Sequence, residues 1–185
     1  TGYTPLSEPF DAMMQAMLHV SDNADVLIVL GDVPLISLDT MRRLTESGAD
    51  LSVLSVLLDD PTGYGRIVRD DAGQVRRIVE QRDADDIVRA IHEINTGVMS
   101  VSAGLLNEWL PRLDRNNEQN EYLLTDLVAL ANDEHRTVEG VLAENPLEVT
   151  GINSRQQLAT LERDLQKKIA DDLMAQGVQL ADPLR

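Results

Sequence analysis

Apolar positions along the chain change their period several times, and each change predicts an element. Phe10, Met13, Met14 and Met17 recur at helical spacing after a turn-rich opening, "TGYTPLSEP". Residues 25–31 run apolar without alternation, the pattern of a strand covered on both faces. Ser37 can cap a short helix through about Glu46, with Gly48 as its stop. "LSVLSVLL" at 51–58 reads as a second buried strand. Beyond the turn-rich "DDPTGYG" at 59–65, "RIVRD" and "QVRRIVE" predict a hairpin through Asp71-Ala72-Gly73. The charged stretch 81–90 has room for one or two helical turns, and "HEINTGVMSV" at 92–101 predicts another strand. Leu105, Leu106, Trp109 and Leu110 line a helix that Pro111 must end or bend. After the polar loop "NNEQNE", Leu123, Leu124, Leu127, Val128 and Ala131 mark the next helix. Residues 136–142 alternate weakly, as a strand. Ser154 and Gln157 have capping-box spacing, and Leu158, Leu161, Leu165, Ile169 and Leu173 form the clearest helical stripe, ending before Gly177.

Strands that alternate with helices predict an α/β fold, and the hairpin at 64–80 makes its sheet mixed. In open α/β sheets, ligands sit beyond the carboxyl ends of the strands. That rule singles out Gly31-Asp32, the 59–65 loop, Glu80 and the stretch 93–97.

Composition narrows the function classes. At 185 residues, 43% hydrophobic and 26% charged, the chain is a single domain of ordinary globular make-up. Its formal net charge of −16 argues against tracking a nucleic-acid backbone. It contains no cysteine, which excludes disulfides, thiolate metal sites and a Cys nucleophile, and fits a cytoplasmic location. No apolar run approaches the roughly 18–20 residues of a membrane span, and no signal peptide is visible. The chain opens on Thr1, so it is expected to be processed, trimmed or part of something longer.

Each strand-end residue has two readings. Asp32 either punctuates the turn before Pro34 or offers a carboxylate to Mg²⁺, which takes one or two protein oxygens and fills its shell with water and phosphates. Gly31 lets a backbone approach a ligand closely. Gly63 and Gly65 either turn amides toward a ligand or make a tight entry into a strand. Glu80 is either a solvated charge or an acceptor for sugar hydroxyls. Asn95 lies inside a strand, where asparagine is disfavoured, so its amide needs a partner from a loop or a ligand. Asn153 before a capped helix reads as turn chemistry. His19, His92 and His135 lack metal-ligand spacing, no serine-hydrolase arrangement is present, and the Met13, Met14, Met17 group reads as core.

Together, "LGDVPLIS", "DDPTGYGRIVR", "RIVEQRDA", "EINTGV", "NEYLLTD" and "EVTGINSRQQLATLER" stand in a familiar order and spacing. From about residue 12 to the C-terminus the chain resembles the uridylyltransferase domain of bacterial bifunctional N-acetylglucosamine-1-phosphate uridyltransferase / glucosamine-1-phosphate acetyltransferase. The resemblance implies a mostly parallel, Rossmann-like sheet of the sugar nucleotidyltransferase type, truncated at its N-terminus. It implies a Mg²⁺ cofactor held by Asp32 and Asn153. Leu30 and Gly31 match backbone contacts beside the nucleotide; Gly65, Glu80 and Asn95 match residues that hold N-acetylglucosamine; Asn153 also matches a nucleotide-sugar contact. The implied reaction converts UTP and N-acetylglucosamine-1-phosphate to UDP-N-acetylglucosamine and pyrophosphate, for peptidoglycan and lipopolysaccharide synthesis.

The chain also departs from the family. A first strand with a loop like "LAAGKGTRM" and a following lysine, which serve the triphosphate, have no counterpart. A Gln and a "GTGHA" stretch that help read uracil are replaced by "SEPFDA", and "EHKDA" becomes "EQRDA". The chain stops at "LADPLR", where the family passes into a left-handed β-helix that carries the acetyltransferase and trimerises. The expectation is therefore one partial nucleotidyltransferase domain over 1–185, with 154–177 a helix leading to a β-helix domain and with turnover impaired. A sugar-nucleotide-binding domain without catalysis, or a transferase using another nucleotide, are the competing readings.

Overall fold

The computed structural model describes residues 9–183, so most of the turn-rich opening lies outside the described residues. The elements follow in the order α1 (Pro9–Met17), β1 (Asp25–Ile28), α2 (Leu38–Thr45), β2 (Leu51–Leu57), β3 (Arg66–Arg69), β4 (Val75–Val79), α3 (Asp86–Arg89), β5 (Glu93–Ser102), α4 (Ala103–Trp109), α5 (Leu127–Asp133), β6 (Val138–Leu142) and α6 (Arg155–Ala175). Their boundaries have local causes. The Ser37 side chain accepts from the Thr40 N–H and starts α2; Ser102 does the same for Leu105 at α4. Pro111 ends α4 in a short 3-10 turn, Leu110–Arg112. Ser154 accepts from the Gln157 N–H and caps α6.

The sheet runs β4-β3-β5-β2-β6, with β1 also paired to β5. The mixed α/β class agrees with the sequence, but the balance of directions does not. Among the described residues, pairs β1–β5, β2–β5, β3–β4 and β3–β5 are antiparallel, and only β2–β6 is parallel. An apolar run shows that a strand is buried and carries no information about its direction. Here β5 runs against every strand beside it, so a mostly antiparallel sheet replaces the expected mostly parallel one.

Two apolar layers cover this sheet. On one face Leu51, Val53, Met99 and Val101 pack with Met17 of α1, Leu106 and Trp109 of α4, and Leu127 of α5. On the other, Leu54, Val56, Ile94 and Val98 pack with Leu44 of α2 and with Val141. Covering both faces is why β2 needs no alternation. Each fully buried large side chain here contributes on the order of 1.5–3 kcal/mol. Trp109 is buried with its indole N–H donated to Glu134 at 3.0 Å. Phe10 of α1 stacks on Tyr122 at 4.3 Å between ring centroids, and Arg115 lies over the other aromatic partner, Tyr122, at 4.4 Å.

Two expectations need correction. The strand read at 25–31 is shorter, and of its four residues only Ile28 is buried. Among the described residues it is paired on one side only, with β5, so its apolar run is not covered like that of β2. The α6 stripe is equally incomplete: Leu161 is buried, while Leu158, Ile169 and Leu173 are 42%, 49% and 37% exposed.

Candidate functional site

Antiparallel pairing gathers the candidate residues at one end of the sheet. β5 runs opposite to β1 and β2, so its beginning lies beside their carboxyl ends: Leu57 pairs with Glu93, and Ile28 with Met99. Arg66, at the start of β3, pairs with Val79 at the end of β4 and with Ile94. Gly65, Glu80, Asn95 and Leu30 therefore share one rim, and the loop after β6 returns to the same side.

Gly65, Glu80 and Asn95 form one group. The Asn95 N–H donates to the Gly65 carbonyl at 2.8 Å. A Cβ added at Gly65 would lie 3.2 and 3.3 Å from the two Glu80 carboxylate oxygens. Asn95 has its own local cause. The β2–β5 register slips between Val53 and Ser55, so Thr96-Gly97-Val98 bulge from the ladder. The Asn95 Oδ1 accepts from the Gly97 N–H at 3.2 Å, and the Thr96 hydroxyl donates to the Leu54 carbonyl at 2.8 Å. Gly97 sits at φ +80°, and a Cβ there would meet Leu30 Cδ1 at 2.7 Å. The bulge thus seats Leu30 against the sheet and leaves the buried Asn95 amide at the rim.

Asp32 and Asn153 belong to a second group. The Ile152 N–H donates to the Asp32 carbonyl at 2.9 Å, and a Cβ on Gly151 would lie 3.7 Å from Asp32 Oδ2. The Asn153 N–H donates to Gln157 Oε1 at 2.7 Å, which fixes it at the start of α6. A clasp holds the two segments together from behind. Glu148, in a short 3-10 helix at Pro146–Val149, accepts from the Thr40 hydroxyl at 2.6 Å and from the Ser37 N–H at 3.3 Å. Gly31 is exposed, and a Cβ there would meet no atom within 4 Å. Tyr64 and Gly151 line one cleft of about 320 Å³, so the 59–65 loop faces this second group.

The electrostatics of the rim are acidic. A cavity of about 290 Å³ is lined by Glu80, Asp83, Thr125 and Asp126, among others. Burial lifts the Glu80 carboxyl above its ordinary range; the Thr125 hydroxyl, at 3.2 Å, opposes this, while Asp83 and Asp126 add to it. Burial likewise lifts Asp126, helped by Asp114 and Asp83. Behind the rim, Arg69 grips Glu93 with two nitrogens at 2.8 and 2.6 Å, and Ser55 donates to it at 2.6 Å. Burial alone would raise Glu93, but the Arg69 hydrogen bonds, the Ser55 hydroxyl and the Arg69 charge outweigh it and hold the carboxyl low.

Sequence reasoning assigned no role to Thr125, Glu148, Arg66 or Gln81, all of which support these groups. Thr125 stands inside the quoted "NEYLLTD", but its partner Glu80 is 45 positions away. Arg66 carried the better signal, a charge directly before the apolar pair Ile67-Val68.

The donor set at the second group suits Mg²⁺. The Asp32 carboxylate and the Asn153 amide oxygen engage no hydrogen bond or ion pair among the described residues, and both residues are exposed. Such a cation needs only one or two protein oxygens when phosphates and water complete its shell. Among the described residues, no group of three or more His, Cys, Asp or Glu could hold a metal. Nor is any described helix long and apolar enough to cross a membrane.

No family model matches the chain. It is 47% identical over 175 residues to the bifunctional protein GlmU of Dechloromonas aromatica, covering 94% of this chain and 39% of that protein. It is 46% identical over 176 residues to the bifunctional protein GlmU of Francisella tularensis subsp. novicida, with 94% and 38% covered. The same values hold for Francisella tularensis subsp. holarctica. The chain thus spans about two fifths of the length of the curated relatives it matches. Along 94% of its length the chain is therefore similar to about two fifths of these bifunctional GlmU proteins.

Proposed function

We propose that this chain is the metal- and hexosamine-binding part of a nucleotidyltransferase that makes UDP-N-acetylglucosamine from UTP and N-acetylglucosamine-1-phosphate. The observation that carries the reading is the gathering of two polar groups, Gly65–Glu80–Asn95 and Asp32–Asn153, at one end of the sheet. In the reaction, a phosphate oxygen of the sugar phosphate attacks the α-phosphorus of UTP. One Pα–O bond forms, the bond to the β-phosphate bridging oxygen breaks, and pyrophosphate leaves. The protein's work is alignment and neutralisation of charge. Asp32 and Asn153 would hold Mg²⁺, whose charge offsets that of the phosphates. Glu80 accepts sugar hydroxyls, and the Asn95 amide, held by the bulge, donates beside it. Leu30 and Gly31 leave the nucleotide an open approach, and the start of α6 favours negative charge near Asn153.

By the same resemblance we infer a cytoplasmic parent that assembles as a homotrimer through a β-helix domain. The test is pyrophosphate release by the parent protein. The reading predicts release that needs both UTP and N-acetylglucosamine-1-phosphate and is lost in Asp32→Ala. Equal release with glucose-1-phosphate, with a different nucleotide, or by Asp32→Ala contradicts it.

A further inference from the structure

Arg66 is the least comfortable residue in the sheet. It is 1% exposed, and its Nε is the sole buried side-chain nitrogen or oxygen without a partner among the described residues. Burying a guanidinium is costly unless carboxylates pair with it. Here its hydrogen-bond acceptors are neutral: the Tyr64 carbonyl, and Gln81 Oε1 at 2.7 Å. The same Gln81 oxygen accepts from the Gly63 N–H at 3.3 Å. Gln81 directly follows Glu80, and Arg66 directly follows Gly65. One oxygen atom therefore ties the turn Gly63-Tyr64-Gly65 to the strand end that carries Glu80.

We infer that Gln81 and Arg66 are positioning residues that latch the 63–65 turn onto β4 and so set the spacing of Gly65 and Glu80 around the hexosamine. This rests on the proposed function only for the identity of the sugar. The latch sits within the packed rim: a Cβ on Gly65 would press the Glu80 carboxylate, so that gap has no slack. If the turn lifts, Gly65 and Glu80 separate, and the Asn95 N–H bond to the Gly65 carbonyl goes with them. The hydrogen bonds that anchor Asp32 and Asn153, to Ile152 and to Gln157, lie outside the latch; Tyr64 of the turn shares a cleft with Gly151 but, among the described residues, no hydrogen bond with this group.

The test compares wild type, Gln81→Leu and Gln81→Glu in two measurements on the 185-residue chain. Gln81→Glu keeps the acceptor oxygen; Gln81→Leu removes it and leaves two donors unsatisfied. Hydrogen exchange without ligand reads the latch itself. Faster exchange of the Gly63 and Gly65 amides in Gln81→Leu, and not in Gln81→Glu, is expected; unchanged exchange in Gln81→Leu overturns the inference. Calorimetry with UDP and with UDP-N-acetylglucosamine, both with Mg²⁺, reads the positioning. Gln81→Leu should lose roughly tenfold in affinity for the sugar nucleotide and nothing for UDP, with Gln81→Glu close to wild type. Equal losses for both ligands, or no loss for either, overturn it. A wild-type chain that binds neither ligand would contradict the proposed function, while the exchange result still decides the latch.

Discussion

Gly97 is where backbone geometry, packing and the rim meet, and Gly97→Ala should be among the most damaging single-methyl additions in the chain. Two separate costs arise. At φ +80° an alanine adopts a conformation that L residues avoid by about 1–2 kcal/mol. Its methyl would also stand 2.7 Å from Leu30 Cδ1 and 3.4 Å from Cγ, an overlap that forces the whole isobutyl group aside, at about 1–3 kcal/mol. The sum is about 2–5 kcal/mol. Gly63→Ala is the control: its φ is +90°, but an added Cβ meets nothing within 4 Å, so only the backbone cost remains. Urea unfolding followed by circular dichroism should show Gly97→Ala less stable than Gly63→Ala by about 1–3 kcal/mol. In a double-mutant cycle, Leu30→Ala should recover much of that difference. Equal destabilisation at the two glycines would refute the reasoning, and so would a Gly97→Ala cost that Leu30→Ala leaves untouched.

Four further outcomes follow from the rim and the clasp behind it. The Glu80 carboxyl sits above its unfolded value near 4.5, so the folded state holds the extra proton in the window just above that pH and loses stability as pH rises through it. Glu80→Gln should therefore be more stable than wild type at pH 7, with the gap closing below about pH 4.5, and should bind UDP-N-acetylglucosamine more weakly; a less stable Glu80→Gln at pH 7 contradicts this. Glu93→Gln should behave in the opposite sense. Its folded value is depressed, so the stability it adds is present above pH 4.5 and is lost as pH falls through the folded value. Gly31→Ala should leave the thermal midpoint unchanged, since its methyl meets no protein atom, yet weaken nucleotide binding in calorimetry; a clear loss of stability would refute open space there. Glu148→Ala strips acceptors from the Thr40 hydroxyl and the Ser37 N–H and should cost about 1–3 kcal/mol in urea unfolding, against about 1 kcal/mol for the cap variant Ser37→Ala.

The elements were largely legible in the sequence, because each is announced by its own residues. Ser37, Ser102 and Ser154 cap the helices they precede, and the Asp71-Ala72-Gly73 turn joins β3 to β4. Direction and pairing were not legible. The run at 25–31 looks like that at 51–58, yet among the described residues the first is paired on one side and the second on both, a difference made by partners far along the chain. Of the site, Asn95 was half readable: an amide in a strand demands a partner, and the partner is the Gly97 N–H two residues on. Glu80 with Thr125, and Glu148 with Thr40, join residues 45 and 108 positions apart. No local pattern encodes such pairs: Glu80, Thr125 and Glu148 stand in separate family motifs that do not say which residues meet, and Thr40 stands in none of them.

The central claim is that Asp32 and Asn153 act as one Mg²⁺ site for the sugar nucleotide. The most direct measurement is calorimetric titration of the 185-residue chain with UDP-N-acetylglucosamine, with Mg²⁺ and again with EDTA. The account predicts that wild type binds more tightly with Mg²⁺, and that Asp32→Ala and Asn153→Ala each lose that gain while keeping their thermal midpoints. A gain from Mg²⁺ that persists undiminished in either variant would contradict it.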